Sequence, residues 1–167
     1  MTRLVLAVDV SPHDVTGSVL AEVSKGRRGQ RTVTVHALGT DPETGGRRHL
    51  YGRVEQLVAA HADAQPLVVI NVTAIGAAAG TRLAGRLAGI DGISSVDLVE
   101  FTTSDTDDHR SHSRWGRLYR VGETDAYALT QDRLAHSDVR VSSRLPRETW
   151  ATPVSYTHLR AHETINH

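Results

Sequence analysis

The first forty residues alternate between apolar runs and short polar connections, a pattern typical of closely linked strands. Residues 3–10 (RLVLAVDV) are apolar except for Arg3 and Asp9, as expected for a strand covered on both faces. Residues 11–14 (SPHD) have the composition of a turn. Residues 15–25 and 31–38 alternate apolar and polar side chains and are joined by a tight connection. This arrangement predicts an antiparallel three-stranded meander.

Helical and strand periodicities alternate along the rest of the chain. The predicted elements are a helix over 48–62, a strand over 66–72, a helix over 77–90, a strand over 95–101, a helix over 123–136 and a short strand over 138–142. The polar segment 102–114 predicts a loop, and a final turn is expected near 145–150. The order predicts an α/β fold of ribonuclease-H-like type. Its mixed sheet has three antiparallel meander strands and then parallel strands, with helices on both faces.

Composition narrows the class of protein. The 167 residues carry 19 basic and 19 acidic side chains, which argues against a chain-wide nucleic-acid footprint but leaves room for a local basic groove. No cysteine is present, which excludes disulfides and thiolate metal sites. No apolar run approaches the about 18 residues that a membrane helix needs. We therefore expect one cytoplasmic domain over residues 1–153 with no membrane partner.

The last fourteen residues have a separate origin. Residues 154–164 (VSYTHLRAHET) resemble the translation of a DNA adapter used in transposase-based sequencing libraries, and the remaining INH extends that segment. We therefore interpret 154–167 as an artefactual, non-native tail and exclude its histidines from any metal site. The natural protein is expected to continue beyond Pro153.

Two polar residues stand out within apolar strands. Asp9 lies inside the first strand, where an ionised carboxylate is costly unless a cation or hydrogen bonds stabilise it. The alternative is that Asp9 only caps the turn that follows. Asn71 ends the apolar run 66–72 and is either a strand terminator or a ligand position. An amide oxygen can coordinate a hard cation, although it brings no charge.

Three segments resemble the nuclease domain of phage terminase large subunits. They are LAVDVSPHDVTGSVLAEV, VVINVTAIGAAAGTRL and RLYRVGETDAYALTQDRLAHSDVRVS, and the similarity spans residues 3 to 150. The resemblance implies a metal-dependent endodeoxyribonuclease that uses Mg²⁺ or Mn²⁺, with DNA and phage packaging proteins as partners. It places Asp9 at the first metal-binding acid.

The chain departs from that family at its second motif. Asn71 stands where the family has its second acid, and Ala74 stands where it has the first glycine of D-x-T-G-x-G. Asp125 is the candidate third acid, although an acid in a first helical turn is also favoured by the helix dipole. Two-metal hydrolysis relies on clustered carboxylates, so Asn71 predicts impaired catalysis. No GxxxxGK[ST] loop occurs, so no nucleotide cofactor is expected.

Two other functions stay open at this point. One is a catalytically inactive DNA-binding or phage assembly protein of the same fold, which Asn71 favours. The other is a fragment of an actin-like or sugar-kinase-type ATPase, disfavoured because SPHDVTGS has only one glycine. The acidic run of Asp105, Asp107 and Asp108 lacks EF-hand spacing, and His109 and His112 lack a second zinc ligand pair.

Overall fold

A computed structural model describes most of the chain. The residues it describes are 2–10, 16–26, 29–41, 47–93, 95–103, 109–113, 116–136 and 138–143. The predicted turn at 11–14, the acidic run at 105–108, the turn near 145–150 and the tail at 154–167 lie outside them. So do the side chains of His109 and His112.

The described residues form eight strands and three α-helices. The strands are β1 Thr2–Asp9, β2 Thr16–Lys25, β3 Arg31–Asp41, β4 Leu67–Asn71, β5 Ser95–Thr102, β6 His109–Ser113, β7 Gly116–Gly122 and β8 Val139–Val141. The helices are α1 Arg47–Ala59, α2 Ala77–Leu87 and α3 Glu123–Ala135, with a 3₁₀ turn at Ala62–Ala64. Within the described ranges, no helix is long and apolar enough to cross a membrane.

All eight strands join one mixed sheet in the order β6-β7-β5-β4-β1-β2-β3-β8. The meander is confirmed, because β1 pairs antiparallel with β2 and β2 with β3. Strand β4 then lies parallel to β1, and β5 lies parallel to β4. The predicted α/β fold, a ribonuclease-H-like mixed sheet, is therefore confirmed.

The segment 102–122 differs from the sequence prediction, which is a loop over 102–114 with no element assigned to the residues after it. It contains β6 and β7, which form an antiparallel hairpin, with β7 parallel to β5. The sequence of β6 (HRSHS) has no apolar alternation, because β6 is an edge strand that pairs on one side only. Gly116 lets β7 enter beside β5, since a Cβ there would overlap the Val96 carbonyl oxygen.

One face of the sheet carries the main core. Alternate residues of the central strands are buried there against α1 and α2, whose apolar stripes supply the other half of the cluster. The buried members are Leu6, Val8 and Val10 near β1, Val68, Ile70 and Val72 near β4, Val96 and Leu98 of β5, Leu50, Val54 and Val58 of α1, and Leu83, Ala84 and Leu87 of α2. Val10 and Val72 each directly follow a strand, so the core reaches the carboxyl edge of the sheet.

The third helix connects β7 to β8 across the sheet. Both strands run parallel to their neighbours β5 and β3, so the connection is a crossover. It runs in the opposite direction from the crossovers through α1 and α2, and the right-handed rule therefore assigns α3 to the opposite face. None of the α3 side chains is buried. That second face is therefore covered more lightly than the first by the elements described.

Candidate functional site

The candidate site lies where β1 and β4 end. Asp9 is the last residue of β1, Asn71 is the last residue of β4, and the two are register partners in the parallel pair. Their neighbours Val8 and Ile70 are buried in the main core. Because successive side chains of a strand point to opposite faces, Asp9 and Asn71 both face the second face of the sheet. The structure therefore places Asp9 and Asn71 side by side at the carboxyl edge of the sheet.

The surroundings of Asp9 differ from the buried environment expected for it. Asp9 is exposed, and Asn71 is half-buried. On the other side of Asp9, its register partner in β2 is Gly17, which has no side chain to cover the carboxylate. Burial therefore does not require a cation at Asp9. Any binding site here depends on the residues around Asp9.

Asn71 is held by hydrogen bonds at both ends of its amide. Its Nδ2 donates to Asp9 Oδ1 over 2.8 Å. Its Oδ1 accepts from the backbone N–H of Thr73 over 3.0 Å and from the Thr73 hydroxyl over 2.7 Å. The amide therefore presents its NH₂ group to the carboxylate, and its oxygen faces Thr73.

Thr73 is the site residue that the sequence reasoning missed. Besides its two bonds to Asn71, its Oγ1 accepts a hydrogen bond from the backbone N–H of Phe101 over 2.8 Å, which ties the site to β5. The available signal was the Asn-x-Thr spacing, because an asparagine oxygen often accepts from the N–H two residues later. That spacing predicts a turn but not the link to β5, which is remote in sequence.

Asp125 occupies the first turn of α3 and is exposed. Since α3 follows β7, Asp125 lies beyond the same carboxyl edge of the sheet as Asp9 and Asn71. At the far end of this helix, the backbone carbonyl and the carboxylate of Asp132 raise the pKa of exposed His136. That pair belongs to the end of the helix and not to the site.

The donor set can be tested against the metal ions that the fold family implies. Two divalent cations about 3.5–4 Å apart require clustered carboxylates. Among the residues that the structure describes, no group of three or more acidic or histidine side chains could hold a metal ion. The only oxygen of the Asn71 side chain already accepts from two donors. Asp9, Asn71 and Asp125 in this arrangement therefore do not fit a two-metal centre.

Comparison with known proteins adds no family. No protein-family model matches the chain, and no curated protein is significantly similar to it. The fold, the sequence motifs and the geometry around Asp9 are therefore the features from which a function can be inferred.

Proposed function

We propose that the chain is a terminase-nuclease-like domain that acts on DNA, with its metal-dependent phosphodiester hydrolysis impaired. The observation that carries the proposal is the hydrogen bond between Asn71 and Asp9 at the ends of β1 and β4. In the ribonuclease-H-like arrangement this is where a pair of acids is expected. Here an amide N–H stands against the carboxylate in place of a second negative charge.

The same hydrogen bond favours a second candidate, a catalytically inactive DNA-binding or phage assembly protein. The hydrogen bond from the Asn71 amide stabilises the Asp9 carboxylate, so this carboxylate has a partner in the folded protein without a metal ion. In either case the partners proposed are DNA and the packaging proteins of a phage. Mg²⁺ or Mn²⁺ is the cofactor proposed for a cleaving form, which would need an acid at position 71 beside Asp9, because Asp9, Asn71 and Asp125 as arranged here do not fit a two-metal centre.

Cleavage assays on the parent, three single variants and one double variant test the proposal. The parent, Asp9→Ala, Asn71→Asp and the control Asp91→Ala, which removes an exposed acid beyond α2, are incubated with linear and circular DNA and Mn²⁺. We expect weak or no cleavage by the parent and the control. Asn71→Asp restores the second charge and should raise cleavage, and adding Asp9→Ala to it should abolish the gain.

A DNA-binding measurement distinguishes the two candidate functions from that of a protein that does not act on DNA. Several arginines in the described residues already pair with acids, among them Arg86 with Glu55 and Arg120 with Glu100. The chain carries 19 basic and 19 acidic side chains and so has no net positive charge, and we therefore expect DNA binding by the parent with a shallow dependence on salt. A parent that neither binds DNA nor gains cleavage through Asn71→Asp would overturn the proposal.

A further inference from the structure

The two ends of the Asn71 amide have opposite chemical consequences beside Asp9. With the oxygen toward Asp9, the pair would present two oxygens and suit a hard cation. With the NH₂ group toward Asp9, the pair closes as a hydrogen bond and leaves that space without an oxygen ligand from Asn71. Whatever fixes the amide therefore decides what the site can bind.

Thr73 supplies both groups that fix the oxygen end of the amide. Its backbone N–H can only donate, so the atom of Asn71 facing it over 3.0 Å must be the oxygen. Its hydroxyl already accepts from the N–H of Phe101, and the hydroxyl proton is directed to the same Asn71 oxygen over 2.7 Å. Two donors therefore converge on one acceptor.

Reversing the amide would break every one of these bonds. The NH₂ group would meet the backbone N–H of Thr73, which can only donate, and the Asn71 oxygen would face the Asp9 oxygen that now accepts over 2.8 Å. Both contacts would be repulsive without a cation between the oxygens.

We infer that Thr73 is the positioning residue of this site. It holds the Asn71 amide in the orientation that cannot coordinate a divalent cation. The inference rests on the proposed function, because it takes a hard cation as the ligand that the site fails to bind. It adds that Thr73, as well as the missing charge at Asn71, prevents the cation from binding. Removing the Thr73 hydroxyl should therefore loosen the amide while the sequence keeps Asn71.

Side-chain NMR of Asn71 tests this inference without a measurement of DNA binding or cleavage. In the full chain we expect the two Asn71 NH₂ protons to be well separated in chemical shift and to be unmoved by Mg²⁺. In Thr73→Val the separation should collapse and Mg²⁺ should shift the signals. Thr73→Ser keeps the hydroxyl and should restore the parent behaviour, and Thr81→Val removes a comparable hydroxyl bond within α2 as a control.

Two results would overturn the inference. One is an Asn71 signal that moves with Mg²⁺ in the parent, a measurement that needs no variant to fold. The other is Thr73→Val with parent-like signals. Failure of the DNA assays would instead overturn the proposed function, because this experiment measures only the amide.

Discussion

At the residue scale, Asp97 shows how a charge is kept inside the sheet. It is 6 % exposed, and it is the buried charged residue of the described chain. The backbone N–H of Arg117 donates to its Oδ1 over 3.3 Å, and the Arg117 guanidinium donates to its Oδ2 over 3.2 Å. That guanidinium also lies over the ring of Tyr119. One residue of β7 thus satisfies both carboxylate oxygens from the neighbouring strand.

Replacing Arg117 should therefore cost more than replacing a similar surface arginine. Arg117→Met leaves a buried carboxylate with one donor, and we expect the free energy of unfolding to fall by about 1–3 kcal/mol. Arg120→Met breaks the more exposed pair with Glu100 and should cost about 0–1 kcal/mol. Urea unfolding measures both. Equal losses would contradict this account, as would an Asp97→Asn change that fails to recover part of the Arg117→Met loss.

The sequence singled out two site residues but not the chemistry between them. Asp9 and Asn71 are polar residues within apolar strands, and the parallel pairing of β1 with β4 brings them together at one edge of the sheet. The orientation of the Asn71 amide depends on Thr73 and Phe101, which meet only through the pairing of β4 with β5. No local pattern encodes a contact of that kind.

At the element scale, α2 packs against the end of β4 through Gly80. A Cβ at Gly80 would lie 2.5 Å from Cγ1 of Val72, the residue between Asn71 and Thr73. Gly76 opens the helix with a positive φ of 81°, which favours glycine. Close packing therefore explains the glycine at position 80, and backbone conformation explains the one at position 76.

Two glycine-to-alanine changes should have opposite effects on stability. Gly80→Ala forces Val72 to move, and we expect a loss of about 1–3 kcal/mol in the free energy of unfolding. Gly52→Ala in α1 meets nothing within 4 Å and should gain about 0.5–1 kcal/mol from helix propensity. Thermal unfolding of both variants gives the comparison. A stabilised Gly80→Ala protein would show that the approach of α2 to Val72 is looser than described.

The elements with strong periodicity were predicted well, and the hairpin of β6 and β7 was not. The helix predicted over 123–136 is α3, and the strand predicted over 138–142 contains β8. Strand β6 is polar because it lies at an edge, so no alternation marks it. Its existence depends on β7, and neither strand has an independent signal as strong as that of β4.

At the scale of the whole molecule, the two faces of the sheet are unequal. The fully buried side chains, such as Leu83 and Leu87 of α2, lie between the sheet and the helices α1 and α2. On α3, Leu129 is 56 % exposed. Most of the stability gained from apolar burial among the described residues should therefore come from the first face.

A pair of leucine-to-alanine changes checks this inequality. Leu83→Ala opens a cavity in the main core and should lower the free energy of unfolding by about 2–5 kcal/mol. Leu129→Ala removes an exposed side chain from a helix of similar length and should change it by less than about 0.5 kcal/mol. Denaturant titrations with a common slope give both values. A large loss for Leu129→Ala would mean that α3 contributes to the core more than its exposure indicates.

The central position of β1 has a consequence during synthesis of the chain. Of the strands described, β1 leaves the ribosome before the others, yet it ends between β2 and β4. The nascent meander therefore carries an open edge on β1 until residues 67–71 have been made. An apolar strand with unpaired backbone groups is a template for association with other chains. Between the completion of β3 and the arrival of β4, the newborn chain is therefore open to such association along β1.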